Sequence, residues 1–384
     1  MNIPILTSKL PQVGTTIFTV MSALAQQHGA VNLGQGFPDF DCDPALLDAV
    51  NAAMRAGHNQ YPPMAGIAPL REAISQKMAA LYGQAYDPAD EITITAGGTQ
   101  GLLTAILCCI QRDDEVIVLE PAYDSYVPAI QLAGGVPVGV AMTADYRIDW
   151  PAVRAAITPR TRALILNTPH NPSGRVASAE DLQTLSALAE QHNLLIISDE
   201  VYEHMVFDGQ PQHSVAAYSA LAARSFVVSS FGKTFHVTGW KIGYVAAPRA
   251  LMNEFRKVHQ FNVFTVNTPV QYGITQYLQD PRPWQDLSAF YQAKRDLFRQ
   301  GLAQTGLRLL PCEGTYFQTV DYSALSDLPE VEFARWLTTE IGVAAIPLSV
   351  FYQQTLERQH VRFCFAKKES TLQQALEKLQ QLGK

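Results

Sequence analysis

The stretch "FVVSSFGKTFHVTGWKIGYVA", residues 226–246, decides how the rest of the chain is read. It opens on an apolar, β-branched run, Phe226–Ser229, and closes on another, Tyr244–Ala246. Between the two lies Lys233, set among a glycine, small hydroxyls and aromatics, with Lys241 eight positions on. A surface lysine usually keeps charged company. This one follows the end of a strand-like segment, so it needs a reason to be there.

Working outward, comparable short runs recur upstream: Ile92–Thr95, Val116–Leu119, Ala163–Leu166 and Leu194–Ser198. Segments of helical periodicity separate several of them, such as 100–110 and 178–193. Ser178 with Asp181 three residues later gives the second a helix start. Near-continuous apolar strands alternating with helices predict an α/β fold: a mostly parallel central sheet sandwiched by helices. From about Asp280 the texture changes. Long amphipathic segments (284–305, 329–341, 370–383) surround short strands around 316–320 and 361–365. We expect a large domain over residues 46–279 and a smaller α+β domain over 280–384. Residues 1–45 form an arm that joins the smaller domain.

Composition bounds the function. The chain has 384 residues, 47% hydrophobic and 16% charged, with a net charge of −7. No run of five basic residues occurs, which argues against nucleic acid or an anionic membrane as partner. The five cysteines show neither CxxC spacing nor a disulfide framework, so a reducing cytoplasmic setting without structural zinc is expected. Neither a signal peptide nor a bilayer-length apolar window is recognisable. His204 and His236 lack partners at metal-ligand spacing, so no metal is predicted. His170 reads as structural, and Cys108 and Cys109 read as core.

Ligands of open α/β sheets gather beyond the carboxyl ends of the strands. After Thr95 comes "AGGTQG", after Leu119 "EPAYDSY", after Leu166 "NTPHNPSG", after Ser198 "DEVY", and after Ser229 "SFGKTF". Taken singly, each has an ordinary explanation as a turn or cap. Together they describe one ligand. The glycine turn Gly97–Gln100 offers backbone N–H groups to an anion. Asp199 suits a protonated ring nitrogen, Tyr202 and Asn171 a phenolate oxygen, Tyr123 a flat ring, and the Lys233 amine an aldehyde. Those features belong to pyridoxal 5′-phosphate.

The ordered motifs "NLGQGFPDF", "NQYPPMAGIAPLR", "TAGGTQGL", "EPAYDSY", "NTPHNPSG", "SDEVY", "SSFGKTFHVTGWKIGY" and "VRFCF" run through the whole chain. On them the sequence resembles the fold-type I pyridoxal-phosphate aminotransferases of class I/II, in the kynurenine, glutamine–phenylpyruvate and methionine subgroup. That resemblance implies a Schiff base on Lys233, which also shuttles the proton, and Asp199 against the ring nitrogen. It implies that Tyr202 and Asn171 bond the ring oxygen and that Tyr123 stacks. Gly98, Thr99, Gln100, Ser230 and Lys241 would hold the phosphate. Tyr61 would reach the neighbouring subunit's phosphate, which implies a homodimer with shared sites. Arg362 would bind the substrate α-carboxylate, helped by Gly36 and Asn171.

Ile17, Phe18, Tyr61, Phe264 and Thr265 suggest an apolar, partly aromatic side-chain pocket, with Phe264 and Thr265 lining the partner's. Where kynurenine-type relatives can carry a histidine, this chain has Thr265. No arginine stands out for a second carboxylate, since Arg282 and Arg295 lie in a charged, exposed-looking context. The expected reaction moves the amino group of methionine and other large neutral or aromatic amino acids to a 2-oxo acid in a ping-pong course. The alternatives are a carbon–sulfur β-lyase of the cystathionine type and a kynurenine–oxoglutarate aminotransferase.

Overall fold

The computed structural model describes residues 6–383. At its centre seven strands form a mixed sheet in the order Ile92–Thr95, Gly243–Ala246, Ser225–Ser229, Leu195–Asp199, Thr161–Asn167, Glu115–Glu120, Val136–Ala141. Gly243–Ala246 runs antiparallel to both neighbours; the other pairings are parallel. The apolar runs alternate between two cores, as the two-residue period of a strand requires. Ile117, Leu164, Ile196 and Val227 face one side with Leu182, Leu185 and Leu188 of the helix Ala179–Gln191. Val116, Ile165, Ile197 and Val228 face the other, under Ala105 and Ile106 of Gly97–Cys109 and Phe255 of Arg249–Asn262. Covering both faces explains why these strands read as solid apolar runs.

Local signals set the helix boundaries. Ser178 and Asp181 form the reciprocal cap at the start of Ala179–Gln191, each side chain bonding the other's backbone N–H. The expected segment 284–305 divides at Asp286 into Arg282–Gln285 and Leu287–Leu302. Glu330–Trp336 continues into a π-helical turn, Leu337–Ile341, that ends on Gly342 in the left-handed region at φ 81°.

A second, antiparallel sheet of four strands contains Ile346–Pro347, His360–Cys364, Phe317–Asp321 and Arg308–Leu309. Near the start of the chain, Val31–Asn32 pairs in parallel with Val343–Ala344. Cys364 N–H then donates to the Leu33 carbonyl at 2.7 Å. The N-terminal segment is thereby stitched to the C-terminal part, and residues 34–36 are carried to the edge of the large sheet. Two readings of the sequence are corrected. Arg295 is not exposed: it is 6% accessible, chelated by Asp208 and Asp296 and stacked over Phe207. Cys108 and Cys109 are half-buried at the rim of a core cluster rather than inside it.

Candidate active site

The antiparallel strand explains why two lysines eight residues apart meet. Ser225–Ser229 ends where Gly243–Ala246 begins, with Ser229 opposite Tyr244. Lys233, after the first strand, and Lys241, before the second, therefore arrive at one sheet edge. The parallel strands end at that same edge with Asn167 and Asp199. There a cavity of about 240 Å³ opens, lined by Gly98, Thr99, Tyr123, Asn171, Asp199, Tyr202, Ser230, Lys233 and Lys241. Gly36, Phe18 and Arg362 line it from the N-terminal segment and the smaller sheet. Twelve of the predicted site residues are thus brought to one place.

At the anion end, Gly97 (φ 78°) turns the chain into the 13-residue helix Gly97–Cys109. A Cβ on Gly98 would stand 2.8 Å from Cγ1 of Val201, so no larger residue fits that cradle. Its free N–H groups, with Ser230 and Lys241 beside them, make an electropositive pocket. Gln100 behaves differently from expectation. Its side chain accepts from the Ala96 N–H at 2.8 Å and donates to Thr104 Oγ1 at 2.7 Å, so it closes its own helix terminus instead of lining the cavity.

Asp199 is fully buried, and burial raises its carboxyl to about pH 6 against the opposing donors Tyr126 and Val201 N–H. Tyr126 O–H donates to Asp199 Oδ2 at 2.6 Å. Asn167 fixes the surroundings: its Nδ2 donates to the Asp199 carbonyl at 2.9 Å, and its Oδ1 accepts the Asn171 N–H at 2.8 Å. Neither Tyr126 nor Asn167 was singled out in the sequence, though both sit in the quoted strand-end motifs. Burial pushes the Lys233 amine down to about 8, with Cys364 and Asp199 pulling up and Lys241 and Arg362 pulling down. Its Nζ donates to Tyr316 Oη at 2.8 Å and to the Gly36 carbonyl at 3.3 Å. Tyr316, too, is a residue the sequence did not flag.

Arg362, 1% accessible, donates from Nη1 to Asn171 Oδ1 at 2.7 Å and from Nη2 to the Gly34 carbonyl at 3.0 Å. Its guanidinium carbon lies 3.9 Å from the Phe317 ring centroid, and its buried Nε has no partner. Next to it, the segment 35–37 is held by a second lysine. Lys367 Nζ donates to the carbonyls of Phe37 (2.8 Å) and Gln35 (3.4 Å). Four further candidates lie off the cavity. Tyr61 is 82% exposed and packs its ring against Phe264, itself 43% exposed, at 5.4 Å and 74°. Thr265 shares a separate surface groove with Tyr61, and Ile17 faces the groove next to Tyr123. His170 is buried, bonded to Ser173 Oγ at 2.7 Å and held near 4 by burial. Among the described residues, no group of three or more His, Cys, Asp or Glu side chains could hold a metal ion. No described helix is long and apolar enough to cross a membrane.

Comparison with known proteins agrees with this geometry. The family "Aminotransferase class I and II" matches residues 28–379. The Escherichia coli K12 methionine aminotransferase is 51% identical over 98% of both chains. A solved E. coli methionine aminotransferase structure superposes with a TM-score of 0.97, covering 99% of this chain and 100% of that one. A probable N-succinyldiaminopimelate aminotransferase of Mycobacterium tuberculosis is 40% identical over 98% of both chains. These likenesses give no support to the carbon–sulfur lyase reading. The chain belongs to the class I and II aminotransferase family.

Proposed function

We propose that this enzyme transfers the amino group of methionine and of other large neutral or aromatic L-amino acids to a 2-oxo acid, with pyridoxal 5′-phosphate as cofactor. The observation that carries the reading is the donor set of the cavity. An anion cradle at Gly97–Thr99, a buried carboxyl at Asp199, hydroxyl and amide donors at Tyr202 and Asn171, and a depressed amine at Lys233 match that cofactor group by group. The unpartnered Nε of Arg362 is a buried donor in want of an anion. When bound, the cofactor supplies an electron sink for the carbanion formed at the substrate's α-carbon.

The chain's own residues do the rest. Lys233, with its amine near 8, is partly neutral at physiological pH and can take a proton from the α-carbon and return it. Asp199, ionised at neutral pH, holds a positive charge opposite itself, and Tyr126 keeps it oriented. Asn171 links the two halves of the site, because its Oδ1 already braces Arg362. Arg362 presents a planar fork suited to a carboxylate. Phe18, Tyr123 and Phe317 offer apolar surface for an unbranched or aromatic side chain.

Of the residues lining the cavity, the cationic ones are Lys233, Lys241 and Arg362. Arg295, the nearest thing to a spare guanidinium in sequence, is consumed by Asp208 and Asp296. A second carboxylate on the substrate would be desolvated without a partner, which is costly. The 51% identity to a methionine aminotransferase supports the same choice. The exposed Tyr61–Phe264 pair supports a homodimer in which each subunit completes its neighbour's pocket, in the cytoplasm as the free cysteines favour. The test is a donor panel at fixed 2-oxo acid. We expect kcat/KM for methionine and phenylalanine to exceed that for aspartate at least ten-fold. A preference for aspartate, or pyruvate and ammonia released from cystathionine without any oxo acid, overturns the reading.

A further inference from the structure

Lys233 must serve two roles if it first holds a cofactor and then moves a proton, so the fate of its amine when free matters. The amine's two hydrogen-bond partners are uncharged: Tyr316 Oη at 2.8 Å and the Gly36 carbonyl at 3.3 Å. Tyr316 O–H in turn donates to that same Gly36 carbonyl at 2.6 Å. A hydroxyl has one hydrogen. With that hydrogen spent on Gly36, Tyr316 presents a lone pair to Nζ and accepts from it. A neutral amine has two N–H bonds and one lone pair. Both N–H bonds then have acceptors, and the lone pair is the position left for whatever fills the cavity that Lys233 lines.

The arrangement is rigid. Tyr316 is fully buried, its ring edge-on to Tyr202 (5.2 Å) and Phe317 (4.8 Å) and tilted against Tyr291 (5.7 Å). A Cβ on Gly36 would come within 2.9 Å of Phe317 Cζ, so no larger residue fits at the position whose carbonyl orients the hydroxyl. The site residues implied by the family resemblance did not include Tyr316. We propose that Tyr316 is a positioning residue: its Gly36-anchored hydroxyl docks the free Lys233 amine and sorts its two hydrogens from its lone pair, so that the amine acts as a base. This inference rests on the proposed function for the identity of the proton donor, but the dock itself is a property of the chain alone.

The first test reads the amine without the reaction. In the full chain before reconstitution with cofactor, the pH dependence of Lys233 acetylation, followed by mass spectrometry of its peptide, gives the midpoint of the amine. Cys364, Lys241, Arg362, Asp199 and Tyr202 surround it and stay in place. Tyr316→Phe keeps the ring and removes an acceptor that favours the charged form, so the midpoint is expected to fall by about half to one pH unit. In the reconstituted enzyme, the same variant is expected to lower kcat about ten-fold with KM within about two-fold, and to enlarge the isotope effect from α-deuterated methionine. Tyr291→Phe, which removes a buried hydroxyl with no partner, serves as the packing control and should change neither readout. If Y316F does not fold, Y316M replaces it. A midpoint that does not move overturns the proposal, and so does a kcat within two-fold of the parent. Failure of the parent to form a covalent lysine adduct with pyridoxal 5′-phosphate would instead strike at the proposed function, because the acetylation midpoint is read without cofactor.

Discussion

Replacing Lys77 by Met should destabilise the protein by an amount that depends on pH in a specific direction. Lys77, on the helix Ala68–Tyr82, bonds Glu203 Oε1 at 2.7 Å, with side-chain exposures of only 5% and 2%. Glu203 also receives Tyr82 O–H on Oε2 at 2.6 Å, and Ser229 and Tyr244 hydroxyls on Oε1. Burial pushes the Glu203 carboxyl up, yet Lys77, the adjacent His204 and these donors overcome it and hold the group at about 2. Removing one partner of a buried pair costs ~3–5 kcal/mol. Three hydroxyl donors remain, which favours the lower end, ~3 kcal/mol. A 384-residue chain unfolds with an entropy of about 0.8 kcal/mol per kelvin, so Tm should fall by about 4 °C at pH 8.

The sign with pH follows from linkage. In the parent, a folded pKa below the unfolded value of about 4.3 contributes stability that is complete above pH ~4.3 and lost as pH falls towards 2. In K77M the unopposed burial lifts Glu203 above its unfolded value, so the penalty is largest at high pH and is relieved as pH falls. The Tm gap between parent and variant should therefore narrow from pH 8 to pH 5, as scanning calorimetry would read. Adding Glu203→Gln to K77M should recover more than half of the loss. A drop below 1 °C at pH 8, or a gap indifferent to pH, refutes the argument.

Tyr126→Phe removes the donor to Asp199 Oδ2, whose carboxyl should then rise above about 6. Because that folded value already exceeds the unfolded one, the protein loses stability as pH rises between about 4 and 6, and the variant should extend this window upward. Its affinity for pyridoxal 5′-phosphate at pH 7.5, titrated by absorbance, should weaken about ten-fold; an unchanged affinity would remove Tyr126 from the site. Arg362→Lys cannot brace Asn171 and Gly34 together and still offer a fork. Its KM for methionine should rise roughly 10–100-fold with a smaller change in kcat, and equal losses in both would point to misplacement of Asn171 instead.

Much of the α/β frame was readable because strands covered on both faces leave solid apolar runs. Ile92–Thr95 appears with the expected bounds, and Ser178 with Asp181 marks its helix start. Val136–Ala141 escaped because an edge strand, half-exposed and carrying Pro137 and Gly139, looks like a loop. The reversed direction of Gly243–Ala246 left no local trace either, since direction is a property of the partners. Within the site, residues that act at the end of their own strand, such as Asp199 and Lys233, announced themselves. Tyr316 did not: it meets Lys233 across 83 positions and Gly36 across 280. Arg295 misled for a related reason. Charged neighbours suggest solvent, but here Asp208, 87 residues away, closes over the guanidinium.

Three successive carbonyls, those of Gln35, Gly36 and Phe37, each receive a lysine Nζ: Lys367 grips the outer two and Lys233 the middle one. A single short ribbon of peptide is thus a lever with a hand on either side of it. Loosening the outer grip, far from any reacting atom, should tilt the plane against which the inner amine is aimed. Attempts to retune the enzyme for bulkier donors have more freedom at Phe18, which approaches from a separate helix, than anywhere along that ribbon.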